Sequence, residues 1–309
     1  MKTLFRSGLW FVCLALAACS LSATSAPLTT EVAATTASEA TVTTAPAVPA
    51  NTPIANIVPI KEEVTFKSGD LTLTGFVFRP STGDGPFPAI VWNHGSEKDP
   101  GSSQEFDGVA SKFVPAGYVV IAPERRGHGT SQGEYIGDAI KQEMAAHGKA
   151  AAAQLLVKLM ETEQLDDQLA GLAYLETLPY VDKNRIGVVG CSYGGIQTVL
   201  AAERGADYKA AVALSPGAES WQGNQPLQDR LKLAADNAKI PVLLIHPAKD
   251  ASTDPGYALA QEFIKSGKPY GLYVFPPIGP EDKQAHCFGG GINIWAASAL
   301  QFLDNYLKQ

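Results

Sequence analysis

The chain has 309 residues, 45% of them hydrophobic and 18% charged, enough to bury one large core or two smaller ones. A formal net charge of -7 gives no basic surface on average, which argues against nucleic acid as a partner.

The first segment reads as a targeting sequence: Lys2 and Arg6 supply positive charge, Leu9 to Ala18 form an apolar run, and small residues follow. That run is too short to cross about 30 Å of hydrocarbon, which needs about 20 apolar residues, and no other stretch of the sequence is a candidate span. Leu16-Ala17-Ala18-Cys19 resembles the lipobox of bacterial lipoproteins. The resemblance implies cleavage before Cys19, lipidation of that residue, and attachment of an exported protein to the surface of a cell-envelope membrane. An ordinary signal peptide that happens to hold a cysteine is the alternative. Residues 1–19 are thus expected to be a signal peptide. Residues 20–53, rich in Thr, Ala, Ser and Pro, lack the large apolar side chains a core needs and read as a flexible tether. A single folded domain is expected over 54–309.

Val64 to Phe66 and Leu71 to Phe78 alternate with period 2 about a Ser68-Gly69-Asp70 turn, which predicts an antiparallel hairpin. Short apolar runs follow at Ala89–Trp92, Tyr118–Ile121, Ile186–Val189, Ala210–Leu214 and Val242–Ile245, the pattern of strands buried on both faces. Helical segments at 106–114, 138–178, 196–202 and 257–266 fall between most of them, which predicts an α/β domain with a mostly parallel central sheet and helices on both faces. The 138–178 interval exceeds one ordinary helix, and Gly148 and Gly171 offer breaks. Either part of it or the 216–239 segment, with Trp221, is a candidate lid; a packing role for the former is as well supported.

Arg185 to Val189 runs into Gly190-Cys191-Ser192-Tyr193-Gly194, a G-x-S-x-G pattern between a strand and a helix, the context of a nucleophile elbow. Ser192 is the candidate nucleophile. A serine hydroxyl needs a base within hydrogen-bonding reach; the elbow resembles that of α/β-hydrolases, whose triads run Ser, acid, His along the chain, and that resemblance leaves His246 and His286, the two histidines after Ser192. His246 ends an apolar run and reads as a packed strand-end residue, while His286 lies in a polar loop after the last strand and is the candidate base. The acid belongs in the loop after Val242–Ile245, where Asp250 and Asp254 both qualify. Ile245-His246-Pro247-Ala248-Lys249-Asp250 resembles the I-H-G-x-x-D pattern of α/β-hydrolases, with Pro247 in place of glycine, and that resemblance favours Asp250. Asp254, before Pro255, suits a helix N-cap.

Acyl transfer also needs donors for an oxyanion. The backbone N–H of Tyr193 is one candidate. Asn93-His94-Gly95-Ser96 resembles the HG oxyanion turn of the same superfamily, which implies the Ser96 N–H as the second and a structural role for His94. Pro123 to Ser131 resembles the P-D-x-R-G-x-G-x-S loop of these enzymes, with Glu124 for aspartate, and implies charged residues acting as internal struts. The histidines and carboxylates lack the spacing of a zinc or calcium site, and no cofactor is expected.

From Phe87 to Leu307 the order of motifs resembles dienelactone hydrolase-like and prolyl-oligopeptidase-like members of the α/β-hydrolase fold. Serine stands where dienelactone hydrolase proper has cysteine, which places lactone specificity in question, and the chain has no room for a β-propeller. The pairs Cys191-Ser192 and His286-Cys287 resemble the CS-D-HC arrangement of tannases and feruloyl esterases, which implies a Cys191–Cys287 disulfide tying the elbow to the histidine loop. Export makes such a bond chemically permissible. The expected function is a serine hydrolase acting on small carboxylic esters through an acyl-enzyme. A short-peptide peptidase and a non-catalytic envelope binding protein are the alternatives.

Overall fold

A computed structural model describes residues 57–102, 104–205, 207–276 and 286–309. The signal, Cys19 and tether readings lie outside the described residues. Period-2 alternation builds the first hairpin: in β1 (Ile60–Ser68) Val64, Phe66 and Ser68 turn inward while their neighbours face solvent, and β2 (Leu71–Arg79) pairs with it in full antiparallel register. The apolar runs form β3 (Phe87–Asn93), β4 (Val119–Glu124), β5 (Val181–Cys191), β6 (Tyr208–Leu214), β7 (Val242–Pro247) and β8 (Tyr270–Phe275). The eight strands make one sheet in the order β1-β2-β4-β3-β5-β6-β7-β8. Among the described residues, only the β1–β2 and β2–β4 pairings are antiparallel.

Every residue of β7 is buried, as expected for a strand covered on both sides. In β6 the pleat sends Ala211 and Ala213 to one apolar layer and Ala210, Val212 and Leu214 to the other. One layer is closed by α1 (Glu105–Phe113) and α7 (Ile292–Leu307). The other is closed by α2 (Ile136–Glu161), α3 (Glu163–Leu175), α4 (Tyr193–Arg204), α5 (Gln225–Asp236) and α6 (Asp254–Ser266). This is the α/β-hydrolase architecture. Among the described residues no helix is long and apolar enough to cross a membrane.

The long 138–178 interval is divided as two helices, but not where both glycines suggested. Gly148, with φ 85° and ψ 179°, kinks α2, whereas Gly171 lies inside α3, packed on Pro123; the break falls instead at Thr162, between α2 and α3. Within 216–239 the main feature is α5, a packing helix whose Leu231, Ala234 and Ala235 are fully buried, started by Asn224 Oδ1 accepting from the Leu227 N–H. Asp254 is the first residue of α6 and Thr253 its N-cap.

Candidate active site

The elbow follows from the chain's path between β5 and α4. Ser192 takes φ 57° and ψ -117°, a strained backbone conformation of the kind stored at functional sites, and its N–H is tied to Leu214 O at 3.0 Å. Such a tight turn leaves no room beside it: a Cβ at Gly194 would collide with the Asn93 carbonyl. The turn lifts the Ser192 side chain above the C-terminal ends of the parallel strands.

Residues that follow two further strands, β7 and β8, meet it there. His286 Nε2 lies 2.9 Å from Ser192 Oγ, and its Nδ1 lies 2.7 Å from Asp250 Oδ1. Burial disfavours the charged form of His286, yet its hydrogen bond with Asp250 and the attraction of that carboxylate outweigh burial and raise its pKa above 6.5. Burial likewise opposes ionisation of Asp250, but the His246, His286 and Ser215 side chains beside it hold its carboxyl well below the usual range. Of the two acids considered, Asp250 reaches the imidazole; Asp254 accepts from Gln222 Nε2 at 2.7 Å instead.

The turn after β3 is braced from below. Arg125, 1% exposed, donates through its guanidinium to His94 O at 3.1 Å and Gly95 O at 2.6 Å, and the same group lies 4.6 Å from the centre of the Tyr193 ring. His94 is fully buried, its Nδ1 2.9 Å from Gly95 O and its Nε2 accepting from the Arg125 N–H at 3.3 Å. Burial first, then Arg125 and His128, push its pKa well below 6.5, which suits a neutral ring inside a loop. In a trans peptide the C=O and N–H point in opposite directions. With Gly95 O held inward, the Ser96 N–H is aimed away from Arg125, on the side where Gly95 and Ser96 line a cavity. Tyr193 opens α4, whose first N–H groups have no intrahelical acceptor. Glu124 accepts from Thr74 Oγ1 at 2.7 Å and the Gly101 N–H at 3.1 Å, and Arg126 grips Asp167 through two nitrogens at 2.9 and 2.8 Å. These charged residues are struts.

The cavity beside Ser192 has a volume of about 550 Å³. Its apolar wall includes Val109, Ile292 and the stacked pair Trp92 and Trp295, whose rings are 6.1 Å apart. Glu97, Glu105 and Glu219 also line it, while Lys and Arg are absent from the described lining. Trp92 Nε1 donates to Glu105 Oε1 at 2.7 Å. Burial, followed by the neighbouring Glu97 carboxylate, pushes the Glu105 pKa up to about 8. Sequence reasoning missed these residues; a helix phased to bury Phe106, Val109 and Phe113 places Glu105 at its start, but nothing local says that this start faces Trp92. No residue of 138–178 is among those lining the cavity, and Glu219 is the contribution of 216–239.

Cys191 and Cys287 form a disulfide, with Cα atoms 6.0 Å apart. Both line the cavity. Cys287 and Phe288 have φ 48° and 63°, so the chain immediately after His286 turns through two left-handed non-glycine residues, an uncommon conformation that needs support from its surroundings.

Residues 73–279 match the dienelactone hydrolase family. Dipeptidyl peptidase 8 of Mus musculus is 25% identical over 234 residues, 66% of this chain and 24% of that protein, so the chain spans about a quarter of that relative's length. Pyrococcus horikoshii acylaminoacyl peptidase superposes with a TM-score of 0.61 at 20% identity, covering 81% of this chain and 42% of its own. Est1E from Butyrivibrio proteoclasticus, solved with ferulic acid bound, superposes at 0.59 with 18% identity, covering 80% of this chain and all of its own. At those identities the structural likenesses establish the fold.

Proposed function

Because this chain belongs to the dienelactone hydrolase family, we propose that it is a serine hydrolase of small carboxylic esters, with Ser192, His286 and Asp250 as its catalytic triad. The observation that carries the reading is the relay itself: Ser192 Oγ, His286 and Asp250 are linked at 2.9 and 2.7 Å, with Ser192 and His286 on the wall of a cavity. Ser192 Oγ attacks the ester carbonyl carbon as its proton passes to His286 Nε2. Asp250 keeps the ring oriented and stabilises its cationic form. The oxyanion of the tetrahedral intermediate is served by the N–H groups of Ser96 and Tyr193. Collapse expels the alcohol, which takes the proton from His286. Water, deprotonated by the same nitrogen, then attacks the acyl-enzyme and releases the acid. The acidic lining favours uncharged or cationic esters over substrates that carry a carboxylate.

Hydrolysis of short peptides is the second reading, favoured by the sequence relation to dipeptidyl peptidase 8. The deciding experiment is turnover of p-nitrophenyl esters, hydroxycinnamate esters and dipeptide amides by the wild type and Ser192→Ala. Ester turnover that falls at least about 10³-fold in the variant is expected, since the triad acts as a unit. Amide turnover exceeding ester turnover would install the peptidase reading, and no turnover of either, with no fluorophosphonate labelling of Ser192, would favour a binding protein.

We also propose export and anchoring through Cys19. The lipobox resemblance supports it, as does a disulfide at Cys191–Cys287, a bond that persists in oxidising compartments.

A further inference from the structure

Behind the triad, the ends of β6 and β7 bury a second group of polar atoms. His246, one residue before the end of β7, has no exposed surface. Its Nδ1 lies 3.4 Å from Asp250 Oδ2, and both side chains are fully enclosed. That oxygen is the rear one of the carboxylate; Oδ1 faces His286 and also accepts from the Ala251 N–H at 2.8 Å. Ser215, the residue after β6, is equally buried. Its backbone is pinned by Ser215 N–H to Ile245 O at 2.8 Å and held at φ 46°.

Asp250 Oδ2, Ser215 Oγ and both ring nitrogens of His246 have no hydrogen-bond partner. Buried polar atoms are costly when unsatisfied and seldom remain so. Here the acceptor has two prospective donors: His246 Nδ1 at 3.4 Å and the Ser215 hydroxyl, which acts on the same carboxyl. The other edge of the imidazole is shut by α6: a Cβ at Gly256 would come within 2.6 Å of His246 Cδ2 and 2.8 Å of Nε2. A proton on Nε2 would face a glycine Cα, whereas one on Nδ1 faces a carboxylate, so the packing selects the tautomer that donates toward Asp250.

We propose that His246 and Ser215 are positioning residues of the active site, donating through Nδ1–H and Oγ–H to Asp250 Oδ2 and so fixing the carboxylate with Oδ1 presented to His286. The inference rests on the reading of Ser192, His286 and Asp250 as the triad. A carboxylate held only at Oδ1 is free to rotate about its Cβ–Cγ bond, and the imidazole it orients loses alignment with Ser192, a geometric loss that falls on the chemical step. The rear donors also withdraw charge from the carboxylate. Consistent with this, His246 supplies the largest of the hydrogen-bond effects that favour ionised Asp250, and Ser215 contributes as well. Without them the carboxylate is more basic and His286 retains its proton to higher pH. The other charged groups facing His286 are Glu219, whose Oε2 is 3.9 Å from Nε2, and Glu97; neither is altered by these substitutions.

The test compares wild type with His246→Leu, which fills the space without a donor, and His246→Asn, whose amide N–H occupies the place of Nδ1. Ser215→Ala removes the hydroxyl, Gly256→Ala presses on the ring from α6, and Asp250→Asn serves as the reference. Rates on an activated ester are expressed per active site by stoichiometric fluorophosphonate labelling, and kcat, KM and the pH profile of kcat/KM are read. His246→Leu is expected to lower kcat by about 10- to 100-fold, with KM within about threefold and the acid limb of the profile moved to higher pH. His246→Asn recovers most of the rate, and Ser215→Ala and Gly256→Ala show smaller losses of kcat. If His246→Leu does not fold, the remaining variants decide. Wild-type kcat and an unmoved acid limb in the folded His246 variants and Ser215→Ala, with Asp250→Asn impaired, would overturn the positioning role alone. A full rate in Asp250→Asn would overturn the triad reading and this inference together.

Discussion

Glu105 stores a conflict at the level of a single residue. Its carboxyl begins α1 against the Trp92 indole and shares the cavity with Glu97. Burial and that neighbour raise its pKa from 4.5 to about 8. The unfolded chain loses this proton near 4.5 while the folded chain keeps it, so between those values the folded state binds more protons and stability falls as pH rises. Glu105→Gln keeps an acceptor for Trp92 and abolishes the titration. It is expected to melt higher than the wild type at pH 8, with the gap closing toward pH 4.5. Each kcal/mol recovered is worth about 2–4 °C for a domain of this size. Equal melting temperatures of the two proteins at pH 8 would show that the carboxyl is not held neutral. Ser192 and Asp250 were legible in the sequence because each sits in a local pattern close after a strand, and His286 because it is the histidine that follows the last strand. Glu105, Trp92 and the contact of His246 with Asp250 were not, because tertiary packing brings these residues together without a local signature.

At the scale of elements, the site is a set of strand-end loops held in register by the loop after β4. Arg125 in that loop serves the Gly95 and His94 carbonyls and lies over the Tyr193 ring, so one side chain supports the residues of both proposed oxyanion donors. Arg125→Met removes the donors to two buried carbonyls and frees the Gly95–Ser96 peptide to rotate. The expected result is a kcat lowered by about 10²-fold, the scale of one lost oxyanion donor, with KM changed only a few-fold. Arg125→Lys is expected to recover little, since a compact ammonium lacks the planar fork that reaches both carbonyls. A kcat within twofold of wild type in Arg125→Met would remove the loop from the account of catalysis. The strands and the elbow were readable because continuous apolar runs and glycine spacing are strong signals. The helix α7 carries no strong local signal although Trp295, Ala299, Leu303 and Leu307 are buried along one stripe, and the 216–239 segment that holds α5 reads only as a candidate lid because polar residues outnumber the few that reach the core.

Across the whole molecule, two covalent features extend beyond the core. One is the proposed anchor at Cys19: Cys19→Ser is expected to shift the exported protein from the membrane to the soluble fraction, and unchanged membrane association would remove the lipid from the proposal. The other joins the centre of the sheet to the segment beyond its last strand. Cys191 ends β5 and Cys287 follows β8, 96 positions apart, so the bridge encloses β6, β7, β8 and, among the described residues, three helices. In the chain-entropy picture a loop of that size contributes at most about 4–5 kcal/mol by restricting the unfolded chain. The bridge also acts on the folded state. His286 lies next to Cys287 in a turn of left-handed residues, and the bond fixes that turn to the residue preceding Ser192. Replacing both cysteines with alanine is therefore expected to do two separable things. The melting temperature falls, by about 2–4 °C for each kcal/mol lost. At temperatures where the variant is fully folded, kcat falls by about 10- to 100-fold, because misplacing a base by about 1 Å costs that much. Unfolding curves and kinetics at 15 °C measure the two effects independently. A lowered melting temperature with a wild-type kcat would make the bridge a staple for the fold and leave the placement of His286 to the hydrogen bond with Asp250 alone.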